Sequence, residues 1–316
     1  MMANNGICVV LSTYNGERYL TEQLESIENQ TVVPDCIYIR DDGSTDGTRN
    51  IIMKLAKKYD NISYDFGQNV GWRVSFIKAL ESCPEYSWYS FCDQDDVWLP
   101  GKLQAALTSL RNSFGESGQA RPLLYAGNVS ITDAELNVMA LFNKYPVDIV
   151  NKDFPHTLTM DEMAGGLTYV FNSSAKDMLI GFRERGITGH DRLLMLICKL
   201  YGSVVYDYNS YVLYRQHGNN VMGAIARPAP RKSLIARLKA LSVSNERERQ
   251  KIARGLLNLS DSGFSADPEA VQYLELVARC GRDIGAKARL FFSRNVGAYR
   301  WQDEIKFRVR ILCGGY

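Results

Sequence analysis

Trp88-Tyr89-Ser90-Phe91-Cys92-Asp93-Gln94-Asp95-Asp96 decides the fold. A short, mostly apolar run reads as a buried strand, and four polar residues follow it at once. The same grammar occurs twice upstream. Ile7-Cys8-Val9-Val10-Leu11 runs into Ser12-Thr13-Tyr14-Asn15-Gly16, and Cys36-Ile37-Tyr38-Ile39-Arg40 runs into Asp41-Asp42-Gly43-Ser44-Thr45-Asp46-Gly47. Helical segments separate them: one with Leu20, Leu24 and Ile27 on a face, one through Ile51, Ile52, Leu55 and Ala56, and one over residues 71–82. Ile62 to Phe66 is a further strand. This alternation predicts an α/β fold with a mostly parallel sheet and helices on both faces. Ligands of such sheets sit outside the carboxyl ends of the strands, so the three polar clusters should share one rim.

Farther along, Leu123 to Ile131 and Leu167 to Asn172 read as strands with a loop-rich stretch between them. Gly189-His190-Asp191 precedes a helix through Leu193, Leu194, Leu196 and Ile197, and Ser203 to Tyr206 and Tyr211 to Tyr214 finish the strands. Arg227-Pro228-Ala229-Pro230-Arg231 marks a boundary, because proline stops both regular structures. Two domains are expected, residues 1–226 and a helical region over 227–316.

Of 316 residues, 37 are Lys or Arg and 35 Asp or Glu, a formal net charge of +2. With 46% hydrophobic and 23% charged residues, the composition is that of a globular protein. The near-neutral total hides a division. Residues 1–226 hold 19 basic and 26 acidic side chains, and residues 227–316 hold 18 and 9. A basic appendage suggests an anionic partner. The plainer reading is a solvated helical surface docked on an acidic domain.

The seven cysteines form no CxxC pair, which fits a reducing compartment and argues against a disulfide framework. The first ten residues do not read as a signal peptide, and no run reaches the roughly 18 apolar residues of a membrane span.

Several carboxylates on one rim repel one another unless a cation joins them. In Asp93-Gln94-Asp95, residues i and i+2 of an extended backbone point the same way. Two hard oxygen donors on one side suit Mg²⁺ or Mn²⁺. The plainer reading is a solvated acidic loop before the next helix.

Val9 to Gly16, Asp41 to Asp46 and Cys92-Asp93-Gln94-Asp95-Asp96-Val97-Trp98 together resemble the inverting family 2 glycosyltransferases of GT-A fold, a Rossmann-like nucleotide-binding architecture. The resemblance covers about residues 5–226. Gly189-His190-Asp191 and Leu213-Tyr214-Arg215-Gln216-His217-Gly218-Asn219-Asn220 are similar to a bacterial branch that builds cell-surface polysaccharides and includes many rhamnosyltransferases.

The resemblance implies roles. Thr13, Tyr14, Asn15 and Glu17 would lie along the nucleotide, and Asp42 would accept from the pyrimidine N3–H. Asn69 and Gly71 belong to an Asn-x-Gly loop of the donor site. Asp93 would approach the ribose, with Gln94 beside it. Asp95 would ligate Mn²⁺ or Mg²⁺, and His217 would complete the metal and diphosphate site. Asp191 would be the general base. Arg73 and Arg215 would contact phosphate, or pair with the acidic rim. For Asp191 the plainer reading is a helix N-cap, and for His217 a structural loop histidine.

Some positions depart from the family pattern. Arg192 and Leu193 stand where two aromatics often follow the His-Asp pair. Ser75 replaces a common Asn, and Gly166 in Met163-Ala164-Gly165-Gly166-Leu167-Thr168 replaces a bulkier residue.

The implied donor is a dTDP- or UDP-linked sugar, with dTDP-L-rhamnose first. The implied acceptor is a polyprenyl-diphosphate-linked saccharide. A nucleotidyltransferase is less favoured, since Ser12 to Glu17 is no Gly-rich basic loop. A non-catalytic assembly partner is disfavoured by the intact Asp93, Asp95, Asp191 and His217. In the basic third, Leu234, Ile235, Leu238 and Leu241 form one stripe, and Trp301, Ile305, Val309 and Leu312 another, with Arg289 to Arg294 between. Basic amphipathic helices with aromatics can lie in a membrane interface. The expected location is therefore cytoplasmic, peripheral at the inner face of the membrane. No nucleic-acid fold signature is present.

Overall fold

The computed structural model describes residues 4–115, 120–142, 165–182, 188–218, 246–259, 266, 268–293, 305, 308–309 and 311–312. The expected boundary at 227–231, the helix at 232–241, Asn219, Asn220, Met163, Ala164, Arg294 and Trp301 lie outside the described residues.

Among the described residues, nine strands form one sheet in the order β3-β2-β1-β4-β8-β6-β9-β5, with β7 paired to β6. They are β1 (Asn4–Thr13), β2 (Cys36–Asp41), β3 (Ile62–Phe66), β4 (Tyr86–Cys92), β5 (Val97–Trp98), β6 (Leu123–Thr132), β7 (Val138–Leu141), β8 (Val170–Asn172) and β9 (Ser203–Arg215). The pairs β1–β2, β2–β3, β1–β4 and β6–β9 are parallel, whereas β8, β5 and β7 pair antiparallel. Every residue of β2 and of β6 is buried, as in strands covered on both faces. Alternate residues of β1 serve the two faces. Cys8 and Val10 join one hydrophobic cluster, and Ile7, Val9 and Leu11 the other.

The helices are α1 (Leu20–Glu28), α2 (Thr48–Ala56), α3 (Trp72–Ser82), α4 (Lys102–Phe114), α5 (Ser173–Gly181), α6 (His190–Tyr201), α7 (Glu246–Leu257), α8 (Pro268–Arg279) and α9 (Ile284–Phe292). In α1 the buried apolar face is Leu20, Leu24 and Ile27, as the spacing predicts.

Two details differ from the sequence expectation. Leu167 to Asn172 is split: Gly166–Thr168 is a 3₁₀ turn, and only Val170–Asn172 is strand. Ser203 to Tyr206 and Tyr211 to Tyr214 belong to one thirteen-residue strand with register shifts against β6. Its polar middle, Asp207-Tyr208-Asn209-Ser210, reads as a turn in isolation and is carried by the neighbouring strand.

The helices beyond residue 245 share the core of the sheet domain. Ile252, Leu256, Tyr273, Leu274, Leu290 and Ile311 join the cluster that holds Phe171, Met178, Leu179 and Phe182. Tyr201 donates its hydroxyl to the Leu256 carbonyl at 2.6 Å.

Candidate active site

Register brings the polar clusters together. Thr13 lies beside Asp41 across β1–β2, and Leu11 beside Cys92 across β1–β4. The rim sits where the strand order changes direction, with β2 on one side of β1 and β4 on the other. That is where an open sheet leaves a crevice.

Hydrogen bonds lock the clusters to one another. Gln94 Oε1 accepts from Thr13 Oγ1 at 2.6 Å and from the Tyr14 amide at 2.9 Å. Asn15 adopts φ 50°, and its Oδ1 accepts from the Thr45 amide at 2.9 Å. The Glu17 carboxylate accepts from the Gly47 amide at 2.8 Å. Asp42 is buried and accepts from Arg40 Nη1 at 2.8 Å, the Val70 amide at 3.0 Å and the Gly71 amide at 2.9 Å. Gly71 has φ 81°, a conformation L side chains rarely adopt, and its amide also reaches Asn69 Oδ1 at 3.2 Å. Asp42, Asn69 and Gly71 thus form one clasp. Tyr14 is exposed, and Arg73 sits over the Trp72 ring at 5.2 Å.

Beside this rim the chain gathers charge. The short β5 pairs with β9, Val97 opposite Leu213, which carries Tyr214-Arg215-Gln216-His217 back to Asp95-Asp96. His217 Nε2 and Asp95 Oδ2 lie 2.8 Å apart. Tyr19 stacks on the imidazole with centroids 4.9 Å apart. The Asp93 carboxyl is pushed up to about 7, first by loss of water and then by the Asp95 and Asp191 carboxylates. The fully buried Asp96 is also pushed well up, again chiefly by burial. Its Oδ1 accepts from the Arg215 amide at 3.2 Å, while its Oδ2 has no hydrogen-bond partner.

Asp191 is the second residue of α6, whose N-cap is Gly189. The N-cap reading of Asp191 is therefore corrected: it lies inside the first turn. Its Oδ1 accepts from the Arg192 amide at 2.8 Å. His190 anchors this turn. Its ring stacks on Phe76 at 4.0 Å and meets Phe91 and Trp72 edge-on at 4.5 and 5.9 Å. Burial lowers its pKa to about 4, so it stays neutral at ordinary pH, and its Nδ1 is unpartnered. A Cβ at Gly166 would lie 2.8 Å from the Asp191 Cβ. The small residue noted as a departure is the one that leaves room for Asp191.

Among the described residues, no three His, Cys, Asp or Glu side chains close around a common point. The Asp95–His217 pair offers one oxygen and one nitrogen donor, and Asp93 and Asp191 add negative charge nearby. This set fits a divalent cation that keeps positions open for water and phosphate.

Residues 8–131 match the model of Glycosyl transferase family 2. The dTDP-rhamnosyl transferase RfbG of Shigella flexneri is 30% identical over 273 residues, 80% of this chain and 86% of that relative. The chain belongs to glycosyl transferase family 2. It is accordingly a glycosyltransferase. Minor teichoic acid biosynthesis protein GgaB of Bacillus subtilis (strain 168) is 29% identical over 231 residues, 69% of this chain but 24% of that longer protein. Among solved structures, S. aureus TarS 1-349 in complex with UDP-GlcNAc gives a TM-score of 0.52 at 17% identity, covering 96% of this chain and 90% of that one. That likeness concerns the fold, which is GT-A.

Within this family 2 site, Arg215, expected to contact phosphate or to pair with the acidic rim, is engaged by groups of the chain itself. Its residue is only 4% exposed. Its Nε donates to the Asp95 carbonyl at 3.0 Å, Nη1 to the Ala134 carbonyl at 2.7 Å, and Nη2 pairs with Glu22. The guanidinium braces the Asp95 loop through its backbone and pairs with Glu22 of α1.

Sequence reasoning missed three supports. Arg40 carries the only charge in Cys-Ile-Tyr-Ile-Arg and binds Asp42 and Ser75, the latter at 3.1 Å. A charge in a buried strand signals a partner, so Arg40 was findable. Tyr19 sits between His217 and the Arg215 guanidinium, the latter 4.7 Å from its ring. Lys102 is buried under the third cluster, donates to Ser90 Oγ at 2.8 Å and has its pKa lowered to about 7 by burial. Nothing in the local sequence announces either of these two.

Proposed function

We propose that the chain is a metal-dependent, inverting glycosyltransferase that moves L-rhamnose from dTDP-L-rhamnose to a hydroxyl of a polyprenyl-diphosphate-linked surface glycan. The reading is carried by the convergence of Asp93, Asp95, Asp191 and His217 beside a rim whose polar loops are already locked. Likeness to RfbG along most of both chains supports the rhamnosyl donor. UDP-hexose or UDP-N-acetylhexosamine is the second reading, since TarS of the same fold was solved with UDP-GlcNAc and uracil lacks only the methyl group of thymine.

Thr13, Tyr14, Asn15 and Glu17 line the nucleotide, Asp42 faces the pyrimidine and Asp93 the ribose. Asp95 and His217 would hold Mn²⁺ or Mg²⁺, which neutralises charge developing on a leaving diphosphate. Asp191 takes the proton of the acceptor hydroxyl. The hydroxyl oxygen bonds to the sugar C1 from the face opposite the leaving group. The C1–O bond to the diphosphate breaks, and its electron pair leaves with the nucleoside diphosphate. One displacement inverts the anomeric centre. His190 keeps Asp191 in place without competing for the proton, because burial holds it neutral.

A thermal-shift panel of sugar nucleotides with Mn²⁺ tests the donor. The largest shift is expected with dTDP-L-rhamnose. A larger shift with a UDP-hexose would replace it by the second reading, and no shift with any sugar nucleotide would remove both.

A further inference from the structure

The strongest unexplained surface lies at the far end of the chain. Helix α9 has one face in the core, through Ala286 and Leu290. Ile284, Ala288 and Phe292 follow one another at intervals of four on another face, and all three are exposed. Ile284 is 85% and Phe292 78% exposed, more than the other large hydrophobic residues described. A helix apolar on two faces is not explained by folding alone.

The final helical residues repeat the pattern. Ile311 is buried in the same core, while Ile305 and Leu312 are exposed. Arg308 joins this segment to the end of α9: Nη1 donates to the Leu290 carbonyl at 3.2 Å and Nη2 to the Ser293 carbonyl at 2.8 Å. The segment carrying Ile305 and Leu312 is thereby tied to the end of the helix that carries Phe292.

Charge selects the occupant. Helix α9 itself carries Lys287 and Arg289 and no Asp or Glu. Arg282 and Arg289 are exposed beside the α9 stripe. Asp283 is occupied as the N-cap of α9 and pairs with Arg279 at 2.8 Å. Apolar side chains bordered by cations match a bilayer interface with anionic headgroups. Among the described residues no helix is long and apolar enough to cross a membrane, so the contact is one of lying on the surface.

We infer that the exposed face of α9 is a docking face for an anionic lipid bilayer, with Ile284 and Phe292 entering the interface and Arg282 and Arg289 meeting the headgroups. This face uses none of the residues of the sugar-transfer site and does not rest on the donor or acceptor assignment.

Cosedimentation of the full chain with phosphatidylcholine vesicles, with and without phosphatidylglycerol, tests the face. Wild type should bind the anionic vesicles and lose binding with added salt. Ile284→Ser/Phe292→Ser should weaken binding by roughly tenfold or more, and Arg282→Glu/Arg289→Glu by at least roughly fivefold per cation. Circular dichroism should show both variants folded, because the four side chains are exposed. Phe292→Trp retains the apolar character, and its added emission should be quenched by brominated acyl chains. Equal binding of wild type and the apolar variant would overturn the proposal, and so would indole emission of Phe292→Trp that brominated chains leave unquenched. A wild-type dimer that the serine variant dissociates without a change in vesicle binding would overturn it too, and would assign the face to a second copy.

Discussion

The two halves of the active site are built on opposite terms. In the half formed by the ends of β1, β2 and β4, Thr13, Asn15, Glu17, Asp42 and Gln94 all hydrogen-bond within the chain. In the half formed by Asp93, Asp95, Asp191 and His217, burial first and then the neighbouring Asp95 and Asp191 carboxylates push Asp93 up to about 7. One half has its shape before any ligand arrives. The other carries an excess of negative charge that a cation would relieve. Preorganised dipoles and gathered charge are different investments, and catalysis on a diphosphate donor needs both.

The contrast predicts where a mutation acts. The largest effect is expected in the charged half. Asp191→Asn should lower kcat by about 10³-fold, within the range for loss of a general base, and leave donor affinity unchanged in a calorimetric titration. Loss of donor binding at the same time would make Asp191 a structural residue.

In the ordered half the effect should fall on stability. Asp42→Ala removes the partner of a buried Arg40 guanidinium, which costs roughly 3–5 kcal/mol when a buried pair is broken. Urea denaturation measures this. A loss below about 1 kcal/mol would show that the clasp is not a support.

Gly166→Ala acts on the charged half from outside it. The added Cβ would lie 2.8 Å from the Asp191 Cβ, so Asp191 must shift. A misplacement of this order costs about 10²-fold in rate. Donor affinity should hold, and unchanged kcat would show that Asp191 has room to move.

The smallest expected effect has the opposite sign. Asp93 is raised in the folded chain, so its charge costs stability above about pH 7 that the unfolded chain does not bear. As pH falls, the folded protein takes the proton first, and the cost shrinks toward the ordinary carboxylate range. Metal-free Asp93→Asn should therefore melt higher than wild type at pH 8, by roughly 2–4 °C for each kcal/mol. The gap should narrow between pH 7 and pH 4. A variant that melts lower at pH 8 would show that the carboxylates do not strain the fold.

The same division explains what the sequence discloses. The ordered half is written in contiguous stretches, each a strand followed by its own polar turn, so strand-end geometry alone puts Thr13, Asp42 and Gln94 on one rim. The charged half depends on long-range pairing. His217 reaches Asp95 only because the two-residue β5 pairs with β9, and a two-residue strand has no period to detect. Arg215 looks like a phosphate ligand because it stands in a polar run after a strand. Its burial against Glu22 and Ala134 depends on elements far away in the chain. The role of Gly166 is legible only once α6 is seen against it. In the basic third, charge and periodicity pointed to 232–241 and 300–312, and did not disclose that one apolar face of α9 fills the core while another is exposed.

Everything proposed for the charged half depends on Asp95 and His217 bringing a divalent cation to the donor diphosphate. Calorimetric titration of dTDP-L-rhamnose and UDP-sugars into wild type and Asp95→Asn, each with Mn²⁺ and with chelator, measures that dependence. Wild type should bind one of these donors with Mn²⁺ and at least about tenfold more weakly with chelator, as expected when a metal no longer bridges protein and diphosphate. Asp95→Asn should bind weakly under both conditions. Equal affinity in all four titrations would mean that no cation works through this pair.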